Sequence, residues 1–286
     1  HPDTRAELLP AVDRCVHQLR RPELRAFGSR AWGEDGLDSL SGAHGHAYLG
    51  YINLALGMDR LLRRGSPHAR LHDRLTRALA RRLAAARTGM IETYPGEIYP
   101  PDVAAVAASI GLHGRATGVD HGPLLARWAR TRRSRYIDPR SGLLVQSVDA
   151  AGRPRDAPRA SGTAIAAYYL SFSNRALSHQ LFRALQRQLV VVAGFGGVRE
   201  YPRDATGAGD IDSGPVVLGV GVAATGFTLG TASIHGDPGA YRDLYRTASL
   251  FGQPLARGET RQFAAGGAIG NAILLAMLTA GPAAEM

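Results

Sequence analysis

Two kinds of apolar pattern alternate along the chain. The segments "GHAYLGYINLALGMDRLL", "PDVAAVAASIGLHGRA", "SGTAIAAYYLSFSN", "SGPVVLGVGVAATGFTLG" and "GGAIGNAILLAMLTA" are small and apolar on every side, which predicts helices buried all round. Between them, stretches over about 68–87, 120–135, 175–192 and 239–252, with a further one at 5–20, set an apolar stripe against an arginine-rich face. That is the spacing of amphipathic surface helices. A turn-rich loop, a small-residue helix and an amphipathic helix therefore recur as one phrase. The small-residue segments start near Gly45, Asp102, Ser161, Ser213 and Gly266, a period of roughly 55 residues that suits one helical hairpin plus a long loop.

Helices that are apolar all round belong inside, and striped helices belong outside. The predicted fold is all-α: an α/α toroid, or barrel, of helical hairpins in a single domain over 1–286, with an inner ring of small-residue helices and an outer amphipathic ring. In such a ring the inner helices run parallel and their N-terminal loops open at one mouth. Unpaired N–H groups and the positive ends of the helix dipoles gather there, which favours oxygen-rich or anionic ligands.

Composition changes this picture little. With 286 residues and 45% hydrophobic content the chain can bury a substantial core, and its glycines and prolines fall between apolar segments as turns and close contacts. The formal charge of +10 is almost wholly arginine. The dense run Arg127, Arg130, Arg132, Arg133 and Arg135 falls at helical spacing and reads as a solvated helix face. No RNA or DNA module signature accompanies it, so nucleic acid is not an expected partner. "GPVVLGVGVAATGFTLGTASI" is long enough to raise a membrane-helix flag. Its glycine and threonine content reads instead as a buried helix.

Cys15 is the sole cysteine, which excludes an intramolecular disulfide and a cysteine-based zinc cluster. Its place in the N-terminal helix pattern predicts a buried thiol. The chain begins at His1 rather than methionine, which leaves room for an upstream signal or anchor and hence for an extracytoplasmic or membrane-anchored location. The compartment itself is not specified.

The hairpin period, the phrase "YIDPRSGLLVQSVDAAGRPRDAPRASGTAIAAYYL" and aspartates just before inner helices together resemble the six-hairpin glycosidase-like, (α/α)6-toroid superfamily. "YPGEIYPPDVAAVAASIGLH" is similar, more loosely, to the linalool dehydratase/isomerase-like branch of the same toroids. The resemblance covers most of the chain as architecture, with five inner helices counted rather than six. It implies glycoside hydrolase, lyase or epimerase chemistry on a carbohydrate. The linalool-type enzymes are expected to use cysteines near the site, and Cys15 alone does not supply them.

The candidate chemistry sits at the helix junctions. In "YPGEIYPPD", Glu97 and Asp102 are carboxylates placed for proton transfer, Asp102 also being a natural helix cap. Tyr94 and Tyr99 offer a stacking wall or a phenol donor. In "REYPRDATGAGDIDSGP", Glu200, Tyr201, Asp210 and Asp212 repeat the tyrosine-proline step and carboxylates before an inner helix, and Asp212 or Ser213 is the expected cap. His44 and His46 stand before the first inner helix for substrate contact or proton relay, and His113 reads as a satisfied core or rim histidine. Arg159 stands before the third inner helix for a carboxylate or hydroxyl.

Asp102 and Asp212 are the expected general acid–base pair, supported by Glu97 and Asp210, with Tyr99, Arg159, His44, His46, Tyr201 and Glu200 binding substrate. No metal and no cofactor is expected. "GFGG" at Gly194–Gly197 lacks the strand before it and the helix after it that a nucleotide fingerprint needs. Ser161 and Ser213 read as caps, because no nucleophile elbow is present. The expected substrate is an oligosaccharide or small molecule, acidic ones included. The alternatives are a dehydratase or isomerase of a small terpenoid-like alcohol, with a closed apolar pocket, and a non-catalytic glycan-binding or assembly module.

Overall fold

The structure, a computed structural model, describes residues 4–40, 44–63, 65–210 and 213–282. Among these residues the chain is mostly helical, with twelve helices and eight short strands, and it forms two compact units. One contains His1–Tyr136, Ser147–Arg155 and Phe172–Asn174, the other Ile137–Gln146, Asp156–Ser171 and Arg175–Met286.

The first unit holds α1 (Arg5–Leu19), α2 (Pro22–Trp32), α3 (Gly36–Ser39), α4 (His46–Leu62), α5 (Ala69–Ala85), α6 (Pro100–Thr117) and α7 (Gly122–Arg135). α1, α4, α5, α6 and α7 stand where the apolar patterns place them to within about two residues. Small residues set the closest contact, between α4 and α6. A Cβ on Gly50 would lie 2.8 Å from Val106 Cγ2, and one on Gly57 2.7 Å from Leu112 Cδ2. These two glycines are two helical turns apart on one face, so the α4 backbone lies directly on α6. Buried Asn53 ties three helices together, donating to Thr76 Oγ1 and Ser109 Oγ at 3.0 Å each.

On α5 the residues Arg70, Arg74, Arg77 and Arg81 are exposed, as a solvated face requires. Arg132 of α7 departs from that expectation. Leu125, Trp128, Ala129 and Arg132 form the inward stripe of α7, so Arg132 is wholly buried. Its Nη1 donates to the Pro100 carbonyl at 2.8 Å, its guanidinium carbon lies 5.0 Å from the Trp128 ring centre, and burial lowers its pKa to about 9. Cys15 is also corrected: α1 buries Val16, and the neighbouring Cys15 points outward and is exposed.

The second unit begins with the antiparallel pair β1 (Leu144–Val145) and β2 (Pro158–Arg159). It continues with α8 (Ala160–Leu170), α9 (Arg175–Gln188), β3 (Leu189–Val192), β4 (Phe195–Val198), β5 (Val216–Val217), β6 (Val220–Gly221), α10 (Val222–Ile234), α11 (Pro238–Gly252), β7 (Pro254–Arg257), β8 (Thr260–Phe263) and α12 (Gly267–Leu278). Three expectations change here. The third small-residue helix ends at Leu170, four residues before the pattern does. The segment 189–192, expected to finish an amphipathic helix, is β3, which pairs with β4, so a strand does precede "GFGG". That strand leads into its hairpin partner and not into a helix. Finally, "GPVVLGVGVAATGFTLGTASI" is not one helix. Its first part is the β5–β6 hairpin, and α10 starts at Val222.

The β-branched runs explain both strand pairs, because valine prefers a pleated surface to a helix. Each hairpin turns on two residues with positive φ, Ala193–Gly194 at 50° and 81° and Leu218–Gly219 at 52° and 81°, the geometry whose twist matches paired strands. No helix among the described residues is long and apolar enough to cross a membrane.

Candidate functional site

The second unit gathers Arg159, Glu200 and Asp210, which the sequence singles out, with Ser161 and Ser213, which it assigns to caps. Arg159 is the N-cap residue of α8 and is 2% exposed. Its guanidinium is forked three ways. Nε donates to Glu200 Oε1 at 3.1 Å, Nη1 donates to Asp210 Oδ2, and Nη2 donates to Ser213 Oγ at 3.1 Å. Its guanidinium carbon also lies over the Tyr201 ring, 5.2 Å from the ring centre, a cation–π contact.

The backbone holds the two carboxylates in place. The Ala160 amide donates to the Glu200 carbonyl at 2.8 Å, and the Glu200 amide donates to the Gly219 carbonyl at 2.9 Å. Glu200 is thus pinned between the start of α8 and the β5–β6 turn. Its side chain is fully buried, and Ser161 Oγ donates to Oε1 at 2.5 Å. Oε2 has no partner among the described residues, and a Cβ on Gly221 would lie 2.2 Å from it. Leaving a buried carboxylate oxygen unpaired costs about 1–3 kcal/mol. Burial therefore raises the Glu200 pKa above its usual value, against the opposing pull of Ser161 and Arg159.

Asp210 is set differently. Its side chain is 43% exposed, and a reciprocal turn fixes it: the Ser213 amide donates to Oδ1 at 2.8 Å and the Asp210 amide donates to Ser213 Oγ at 2.9 Å. Some burial raises its pKa, but these bonds and Arg159 together hold it below the usual carboxylate range. One arginine fork thus binds one carboxylate that favours its proton and one that gives it up. Asp212 lies outside the described residues. Ser213 does not cap α10, whose N-cap residue is Gly221, and Ser161 is the second residue of α8, in its first turn, with its hydroxyl on Glu200.

Beside this cluster lies an open groove of about 910 Å³ within the second unit. Pro158 and Pro202, chain neighbours of Arg159 and Tyr201, line it together with Arg140, Arg187, Arg203 and Asp204. Arg140 is paired with Asp204.

The other predicted site residues belong to the first unit. Asp102 is in the first turn of α6 but does not cap it, since Tyr99 is the N-cap residue. Its Oδ1 accepts from the Tyr51 hydroxyl at 2.7 Å. Glu97 is exposed and closes a tight turn through its backbone, its amide donating to the Tyr94 carbonyl at 3.0 Å. Tyr94 and Tyr99 meet edge to face at 5.8 Å.

His44 stacks on Trp32 at 5.6 Å, with Nδ1 3.4 Å from Glu92 Oε2. Buried His46 donates from Nδ1 to the Glu92 carbonyl at 2.6 Å, and desolvation lowers its pKa to about 4. His46 is therefore a fixed neutral group at neutral pH. Sequence reading passed over Glu92, around which Trp32, His44 and His46 gather. A pocket of about 180 Å³ lies alongside, lined by Leu24, Phe27, Trp32, His44 and Tyr94 among others.

No protein-family model and no curated protein matches the chain.

Proposed function

We propose that the chain is a carbohydrate-active acid–base enzyme, an α/α toroid of the six-hairpin glycosidase-like kind, whose site is the Arg159 cluster of the second unit. The observation that carries this reading is the pair of carboxylates on one arginine fork, Glu200 dry and Asp210 wet. Opposed pKa shifts in neighbouring carboxylates divide the roles of acid and base. In the proposed cycle Glu200 gives the proton on its unpaired Oε2 to a departing sugar oxygen, and Asp210, kept ionised by Arg159 and Ser213, takes a proton from water or from the sugar. Gly221 covers Oε2, so Glu200 meets substrate only when the β5–β6 hairpin lifts. Tyr201 supplies a ring face, and the arginines of the adjoining groove suit an acidic saccharide. Asp102 and Asp212, the pair expected from sequence, are replaced by Glu200 and Asp210 in this proposal.

The test is a turnover screen on neutral and uronic-acid glycosides with the parent protein, Glu200→Gln and Asp210→Asn, each checked for an unchanged melting temperature. Turnover falling by about 100-fold or more in both variants is the expected result. Glycan binding without turnover, unchanged by either substitution, would move the chain to the glycan-binding class. The first-unit pocket, small and walled by Leu24, Phe27 and Trp32, favours a second reading, a dehydratase or isomerase of a small alcohol. Turnover confined to such alcohols, lost on His44→Ala and kept in Glu200→Gln, would establish it.

A further inference from the structure

A second group of ionisable side chains lies in the first unit and plays no part in that chemistry. His72 and Asp73 of α5 and His113 of α6 bring one possible ligand atom each to within 4.8 Å of one another. His72 is fully buried, yet neither Nδ1 nor Nε2 has a hydrogen-bond partner among the described residues. Its ring meets the His113 ring edge to face at 4.8 Å. A leucine would fill such a place at no polar cost, so an imidazole with both nitrogens unmatched points to a missing partner.

The surrounding contacts specify what that partner is. His113 Nε2 lies 3.0 Å from Asp73 Oδ1, close to the edge of a coordination shell with bonds of about 2.0–2.2 Å. On its far side His113 Nδ1 lies 3.0 Å from His121 Nε2. A proton on Nδ1 donated to His121 leaves the Nε2 lone pair facing Asp73 and His72, the outer hydrogen bond that orients a ligating imidazole.

We propose that His72, Asp73 and His113 hold a divalent transition-metal ion of the zinc class, with His121 as the positioning residue for His113. This departs from the sequence expectation that no metal binds and that His113 is a satisfied core or rim histidine. Two nitrogen donors and one carboxylate select zinc, cobalt or nickel over calcium or magnesium. Arg60 donates to Asp73 Oδ1, and its charge, with that of Arg77 near His113, opposes a cation. The ion therefore competes with Arg60 for the carboxylate, whose Oδ2 carries neither bond. A bound ion would fasten α5 to α6, and through His121 to the start of α7.

The test is titration of the full chain with Zn²⁺ and with Co²⁺, read by calorimetry, by the visible absorption of cobalt and by the melting temperature. One ion per chain with micromolar or tighter Kd, a cobalt spectrum of low symmetry and a raised melting temperature are expected. Asp73→Asn, at a partly exposed position that tolerates the change, should weaken binding at least tenfold, and His72→Gln should abolish the cobalt band. His44→Ala should leave binding unchanged. Absence of binding by the parent protein, or binding by Asp73→Asn and His72→Gln as tight as the parent's, would overturn the proposal.

Discussion

Arg159 shows how much one side chain can fix. It is buried, satisfies two carboxylates and a serine, and lies over the Tyr201 ring. Arg159→Ala would strand Glu200 in a dry site without its counter-charge, and removing one partner of a buried ion pair typically costs about 3–5 kcal/mol. Urea unfolding of the variant should show that loss, and a change under about 1 kcal/mol would mean the fork is an incidental contact. The residue types of this site were legible. Arg159, Glu200 and Asp210 stood out because each lies where a helix or turn begins amid apolar sequence. The roles of Ser161 and Ser213 were hidden, because a serine beside a helix start has the same local pattern whether it caps the helix or serves a distant carboxylate. His72 was hidden differently: one histidine on the apolar stripe of α5 carries no sign, in sequence, that its nitrogens go unmatched.

At the scale of elements, close packing and strand chemistry decide where the pattern reading held. α4 and α6 were read well because glycine and alanine on all sides have one outcome, close contact of buried helices. That contact predicts a contrast between glycines. Gly50→Ala places a Cβ 2.8 Å from Val106 Cγ2 and 3.2 Å from the Val106 amide nitrogen, and should destabilise by about 1–3 kcal/mol. Gly226→Ala, in α10 with nothing within 4 Å of the added Cβ, should stabilise by about 0.5–1 kcal/mol through helix propensity. Thermal melts of the two variants moving in the same direction would contradict the packing described. The β5–β6 and β3–β4 hairpins were missed because their turns are Leu-Gly and Ala-Gly, which lack the Asn-Gly or Asp-Gly signature of two-residue turns. Their valines fit the apolar tally of a helix equally well.

At the scale of the whole molecule, buried histidines set the response to acid. Desolvation lowers His46 to about 4 and His72 to about 3 in the first unit, and His235 to about 4 in the second. Each binds its proton more weakly folded than unfolded, so its stabilising share is complete above the unfolded value of 6.5 and is lost as pH falls toward the folded one. Near pH 5, in metal-free protein, each of these histidines should cost roughly 1 kcal/mol of stability per pH unit as pH falls. Urea midpoints that stay flat between pH 6.5 and 4.5 would refute this. Glu200 has the opposite sign. Its raised pKa makes the parent protein lose stability relative to Glu200→Gln as pH rises from the usual 4.5 through the folded value. The account turns on that proton, and ¹³C NMR titration of the glutamate carboxyl carbons, comparing the parent protein with Glu200→Gln, observes it directly. The account predicts that the resonance missing from the variant titrates above 4.5, and a midpoint at or below 4.5 would contradict it.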